Sequence, residues 1–184
     1  MEHPSFEDVK MVDRHLSEIR MEYFIHENLF TFQWWLLVIL MLLPWAIFFY
    51  LVNRKSLIEI LFYGSLISSL TVLLDDIGVE LQLWSYKYQF VKLIPRLNPV
   101  DYCILPVFYM LIYQYFRSWK SFISAMIIFS AFASFIAEPL FIWLDIYIPT
   151  KWEHWYSFPC YILLGIFVKA LLQLLLHTER CNQS

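Results

Sequence analysis

Between residues 33 and 176 the chain is a series of apolar runs broken by polar joints, and the spacing of those joints sets the predicted elements. A run of about 20 apolar residues forms a helix long enough to cross the ~30 Å hydrocarbon core of a bilayer. Five stretches fit or approach that length: 33–52, 57–77, 100–116, 122–143 and 156–176. The third is the shortest and carries Pro106. The runs are continuous rather than alternating, and lipid admits only helices or closed barrels. The pattern therefore predicts an all-α, polytopic membrane bundle of about five transmembrane helices.

Residues 1–32 follow a different rule. Val9, Val12, Leu16, Ile19 and Tyr23 recur at spacings of three and four, which places one apolar stripe on a mixed acidic and basic helix. This segment is expected to lie on the membrane surface or against the loops. The next position on the stripe is His26, where the apolar face weakens, and Trp34-Trp35 then marks entry into the headgroup belt. Residues 177–184 form a short polar tail.

Composition supports the same reading. The 184 residues are 60% hydrophobic, 20% aromatic and 16% charged, more apolar surface than a soluble domain of this size can hide. A net charge of -3, with Lys and Arg placed singly or in short pairs, argues against nucleic-acid binding. Cys103, Cys160 and Cys181 lack metal-ligand or CxxC spacing. The first 27 residues are charged throughout, so no cleavable leader is expected.

The joints are unequal. Asn53-Arg54-Lys55-Ser56 and Arg117-Ser118-Trp119-Lys120-Ser121 are tight and basic, whereas 83–99 and 145–155 are longer and aromatic. Alternation puts both tight turns on one side, and the positive-inside rule makes that side cytoplasmic with the N-terminus outside. A bacterial plasma membrane is the expected location.

Carboxylates near hydrocarbon are costly and mark sites. Asp75, Asp76, Glu80, Asp101 and Glu138 all fall at the ends that alternation brings to one face. Gly64, Ser68, Thr71 and Asp75 occupy a single helical face, which serves close helix packing or leads to a site. Ser130, Ser134 and Glu138 repeat the logic, and Pro139 removes the amide that would bond the Phe135 carbonyl, predicting a distortion beside the acid. Glu138 is the foremost catalytic candidate, followed by Asp75 and Asp76. A neutral carboxyl there could act as a general acid, relay a proton or simply donate a hydrogen bond.

Trp84, Tyr86, Arg96, Tyr109 and Tyr113 complete the candidate pocket. The two deeper tyrosines either line it or bond a neighbouring helix. Lys169 either snorkels to the surface or pairs with an acid, and Glu59 is expected to pair with Lys55 at i, i-4. No GxSxG, HExxH or P-loop pattern is present, so dinucleotide, nucleotide and zinc-peptidase roles are not expected, and the sequence leaves any cofactor unknown.

The motifs Leu43-Pro44-Trp45, Leu74-Asp75-Asp76-Ile77-Gly78, Leu83-Trp84-Ser85-Tyr86, Ile94-Pro95-Arg96-Leu97, Glu138-Pro139-Leu140 and Trp155-Tyr156-Ser157-Phe158-Pro159 occur in order. Together they resemble an uncharacterised family of small multi-pass membrane proteins from Bacillus and Clostridium relatives. That resemblance implies a bacterial membrane protein and brings no catalytic residues with it. Asp75 or Asp76 followed by Trp84-Ser85-Tyr86 is more faintly similar to membrane-embedded lycopene and terpene cyclases. After Pro106, however, Val107 and Phe108 stand where the cyclase pattern has an acidic pair.

Two classes of function follow. In the first, a polar pocket near one membrane face binds a cation, a proton, a small ligand or a partner. In the second, an intramembrane enzyme uses acid-base chemistry on a lipid or isoprenoid. The implied partners are the bilayer, a small ligand or ion, and another membrane protein or a second copy of the chain.

Overall fold

The computed structural model describes residues 3–91 and 98–182. The chain is an all-α helical bundle carrying a two-stranded clasp at one end. Helix α1, Phe6–Tyr23, opens with a capping box in which Ser5 Oγ accepts from the Asp8 amide and the Asp8 carboxylate accepts from the Ser5 amide. A π turn, Phe24–Asn28, and a left-handed residue at Phe30 (φ 62°) lead into α2, Phe32–Leu51. Helix α3 is Leu57–Glu80, followed by strand β1, Trp84–Tyr86. A second π turn, Val100–Ile104, starts α4, Leu105–Tyr115. Helix α5, Trp119–Phe132, passes through a third π turn, Ala133–Ala137, into α6, Glu138–Trp143. Strand β2, Tyr147–Pro149, and the long α7, His154–Asn182, complete the chain.

Among the described residues, four helical stretches are long and apolar enough to cross a membrane: Phe32–Leu51, Arg54–Glu80, Trp119–Trp143 and His154–Thr178. The third apolar stretch of the sequence differs. With its π turn, α4 covers 100–115, and at ~1.5 Å per residue that is only about 24 Å. The reason is its position, since eight of its eleven residues are buried, among them Tyr109, Met110 and Tyr113. A helix walled in by other helices does not have to match the hydrocarbon thickness. Its partner α3 approaches closely at Gly64, where an added Cβ would collide with the Met110 side chain. Small residues therefore do here what they commonly do between membrane helices.

The joints sort to two ends. Gln114 Nε2 donates to the Leu51 carbonyl (3.1 Å), its Oε1 accepts from the Asn53 amide (2.8 Å), and Arg117 reaches Ser56 Oγ. Both basic turns thus share one end. At the other, Asn28 Nδ2 and Trp34 Nε1 donate to the carbonyls of Gln89 and Phe90, tying the start of α2 to the segment after β1. No residue of α1 is buried, and Val9, Val12, Leu16 and Ile19 of its apolar stripe are exposed, while Tyr23 at the end of the stripe lies near Lys87 and Tyr88 of the segment after β1.

The clasp has an internal symmetry. Helices α3 and α6 both end in a left-handed residue, Gln82 (φ 56°) and Asp145 (φ 59°). At each, the next amide bonds five residues back, Leu83 to Gly78 and Ile146 to Phe141, which closes the helix C-terminus. Two residues after each left-handed position a strand begins, and the strands pair antiparallel with Ser85 opposite Ile148. The acid seven residues before the left-handed position is Asp75 in one half and Glu138 in the other.

Candidate functional site

The two halves of the clasp roof a cavity of about 350 Å³ whose wall is mostly apolar and aromatic. Alternate residues of a strand face one way. Trp84 and Tyr86 of β1 and Tyr147 of β2 turn inward, while Ser85 and Ile148 are exposed. Phe108, Phe129 and Phe132 supply rings from deeper in the bundle, and Phe141 and Trp152 close the rim.

Three carboxyl groups stand on this wall, those of Asp75, Asp101 and Glu138. Asp75 Oδ1 accepts from Trp84 Nε1 at 2.8 Å and from Tyr86 Oη at 2.6 Å. Burial and the neighbouring Asp75 carboxylate hold the Tyr86 hydroxyl well above its ordinary range, so it remains a donor. Burial likewise raises Tyr147. Glu138 accepts from Tyr161 Oη (2.8 Å) on one oxygen and from Ser157 Oγ (3.1 Å) on the other, and Trp152 Nε1 in turn donates to Ser157 Oγ (2.9 Å). Asp101 receives the Asn98 side chain, and its backbone carbonyl accepts from Ser68 and Thr71. The π turn before Glu138 shifts the helical register at the acid, as π turns often do at functional sites.

The sequence-predicted residues divide on inspection. Glu138, Asp75, Asp101, Trp84 and Tyr86 converge on the cavity. Asp76, one residue round the helix from Asp75, does not line it. Tyr109 lies behind the wall and donates to the Tyr161 carbonyl at 2.7 Å, so it braces the helix that presents Tyr161. Tyr113 belongs to the opposite end, where it donates to Glu59 Oε1 at 2.5 Å. Arg96 lies outside the described residues.

Two expected pairings are corrected. Glu59 is met by Tyr113 and by Arg117 (3.6 Å) rather than by Lys55, because α4 delivers both groups to the first turn of α3. Lys169 neither snorkels nor meets an acid. It is 1% exposed, lies over the Phe122 ring at 4.0 Å, and donates to the carbonyls of Phe116 (3.2 Å) and Arg117 (3.0 Å). These are acceptors that the end of α4 leaves without helical donors.

Tyr147, Ser157 and Tyr161 were not foreseen as site residues. A signal for Tyr147 was present: it stands nine residues after Glu138, as Trp84 stands nine after Asp75. Ser157 and Tyr161, at i and i+4, share the face of α7 that meets the acid. Among the described residues, no group of three or more His, Cys, Asp or Glu side chains is arranged to hold a metal ion. No family model, curated protein or solved structure matches the chain.

Proposed function

We propose that this integral membrane protein takes a small, largely apolar molecule into the clasp-end cavity, with the Glu138 and Asp101 carboxyls meeting its polar group. The observation that carries this reading is the wall itself, an extensive aromatic and aliphatic lining interrupted by a few carboxyl groups. Such a lining gives affinity through apolar contact and orientation through a few fixed polar atoms. The dispersed donor set favours an organic ligand over a bare metal cation. The exposed basic turns, with Arg54, Lys55, Arg117 and Lys120, support a cytoplasmic location for that end and an outer location for the cavity, in a bacterial plasma membrane.

The test is co-purification. Native mass spectrometry of the full chain from membranes should show a bound small molecule that is lost from Ala137→Phe, which adds a ring to the cavity wall. Retention of the same species by Ala137→Phe sinks the cavity as its site.

A second reading is favoured by one observation: Glu138 places a carboxyl group on a wall of aromatic rings. In its protonated form this carboxyl would give its proton to an alkene of a lipid or isoprenoid, ring faces would stabilise the resulting carbocation, and loss of a proton from the cation back to the carboxylate would yield the neutral isomer and restore the acid. Comparing lipid extracts of a deletion strain complemented with wild type or with Glu138→Gln separates the two. A lipid peak restored by wild type alone selects the enzyme, and identical extracts select binding.

A further inference from the structure

A second depression lies at the opposite end of the bundle, between the start of α3 and the last turns of the apolar part of α7. It encloses about 550 Å³, and its walls are Phe62, Leu172, Leu175 and Leu176, with Arg54 and Lys55 at its rim. Leu175 and Phe62 are 46% exposed, so this apolar groove opens outward from the bundle. Its charge follows from the corrected pairing described above. Glu59, the acid in the groove, is engaged by Tyr113 and Arg117, and among the described residues no carboxylate lies within ion-pair distance of Arg54 or Lys55. Among the described residues, two cations without acidic partners therefore stand where the apolar groove opens at this end of the bundle. Both cations are carried by a single 3-10 turn, Arg54–Ser56, that runs directly into α3 and is held by Asn53 Oδ1, which accepts from the Lys55 amide (3.1 Å).

We propose that this groove is a binding site for an anionic phospholipid. The phosphate sits between Arg54 and Lys55 above the first turn of α3, and an acyl chain lies along Phe62, Leu175 and Leu176. Charge complementarity selects the headgroup, because basic pockets between membrane helices attract anionic lipids and each Lys or Arg near such a surface contributes about fivefold in affinity. The apolar walls select a lipid over a free phosphate ester. They have no use for the latter, whereas an acyl chain covers them. The site is separate from the clasp-end cavity and does not depend on what that cavity binds.

The experiment uses the purified full chain in an uncharged detergent, titrated with dioleoyl phosphatidylglycerol, dioleoyl phosphatidylcholine or glycerol 3-phosphate and read by native mass spectrometry. Phosphatidylglycerol should be retained at least tenfold better than phosphatidylcholine. Arg54→Gln and Lys55→Gln should each lose about fivefold, and the double variant about 25-fold, bringing it close to phosphatidylcholine. Leu175→Glu leaves the basic pair intact and should also weaken phosphatidylglycerol at least tenfold, which keeps the proposal testable if the double variant does not fold. Equal retention of the two lipids, an unchanged double variant, or competition by glycerol 3-phosphate at lipid-like concentrations would overturn it.

Discussion

The two ends of the bundle use the same residue types to opposite effect. At the turn end, Glu59 accepts from Tyr113, Arg117 lies beside it, Gln114 closes on the α2–α3 joint, and Lys169 fills the space beneath the end of α4. At the clasp end, Asp75 and Glu138 also accept from tyrosines, but the groups around them leave about 350 Å³ open. The difference lies in what reaches the acids. At the turn end, α4 brings a cation and a polar side chain into the joint. At the clasp end, strands and π turns bring rings that bond the acids from the rim and leave the centre empty. An acid with a tyrosine donor is thus no sign of function by itself: Glu59 is also met by a cation, whereas Asp75 and Glu138 stand on the wall of an apolar, aromatic cavity.

The comparison breaks most readily at Lys169. Replacing it with Met keeps most of the stem over Phe122 but strips the donors from two carbonyls at the end of α4. An orphaned buried carbonyl costs about 1–3 kcal/mol, so Lys169→Met should destabilise the bundle by about 3 kcal/mol in a denaturant titration of the detergent-solubilised protein. Glu138→Gln keeps an acceptor for Tyr161 and should cost about 1 kcal/mol or less. A larger loss at Glu138 than at Lys169 would mean that the clasp end, not the turn end, holds the bundle together.

The tyrosines sharpen the same contrast at smaller scale. Tyr113→Phe removes the hydroxyl bonded to the Glu59 carboxylate, and hydrogen bonds to charged groups contribute about 1.5–3 kcal/mol. A loss near 2 kcal/mol is expected, with ligand retention unchanged. Tyr86→Phe leaves Asp75 bonded to Trp84, so about 1 kcal/mol is expected, together with altered retention of whatever fills the cavity. Thermal melts paired with native mass spectrometry separate the two. Equal effects on retention of the cavity's ligand would erase the distinction between the acid tied into the joint and the acid on the cavity wall.

Much of this was legible in the chain. Continuous apolar runs give helices because hydrocarbon leaves the backbone no other solution, and alternation of joints puts Asp75, Asp101 and Glu138 on one face without knowledge of any contact. Pro139 announced a disturbance next to Glu138, and the structure contains a π turn there. What escaped was tertiary choice. Nothing in the spacing of Lys55 and Glu59 reveals that α4 will bring Tyr113 and Arg117 to the same carboxylate. Lys169 was ambiguous because a lysine near a helix end can reach up to water or inward to carbonyls, and only the position of α4 selects the second. The shortness of the third stretch was legible, but its reason was not: α4 is shielded by other helices and so is free of the span rule. The strands of the clasp are three residues each, too short for alternation to register.

The smallest effect tests whether the clasp is one device built twice. Gln82 and Asp145 occupy matching left-handed positions, and a side chain there is strained where glycine is not. Gln82→Gly should therefore stabilise the protein by about 0.5 kcal/mol, the relief of strain less the added freedom of the unfolded chain. Asp145→Gly relieves the same strain but forfeits the ion pair with Lys87 (3.1 Å), an exposed contact of small net worth in water. Its net change should be near zero at low salt. Raising the salt screens the pair in the wild type, so the two glycine variants should approach the same gain. If Asp145→Gly instead destabilises by more than the ion pair explains, the turn after α6 holds its strand by contacts that the turn after α3 lacks, and the matching 7- and 9-residue spacings reflect similar geometry without similar energetics.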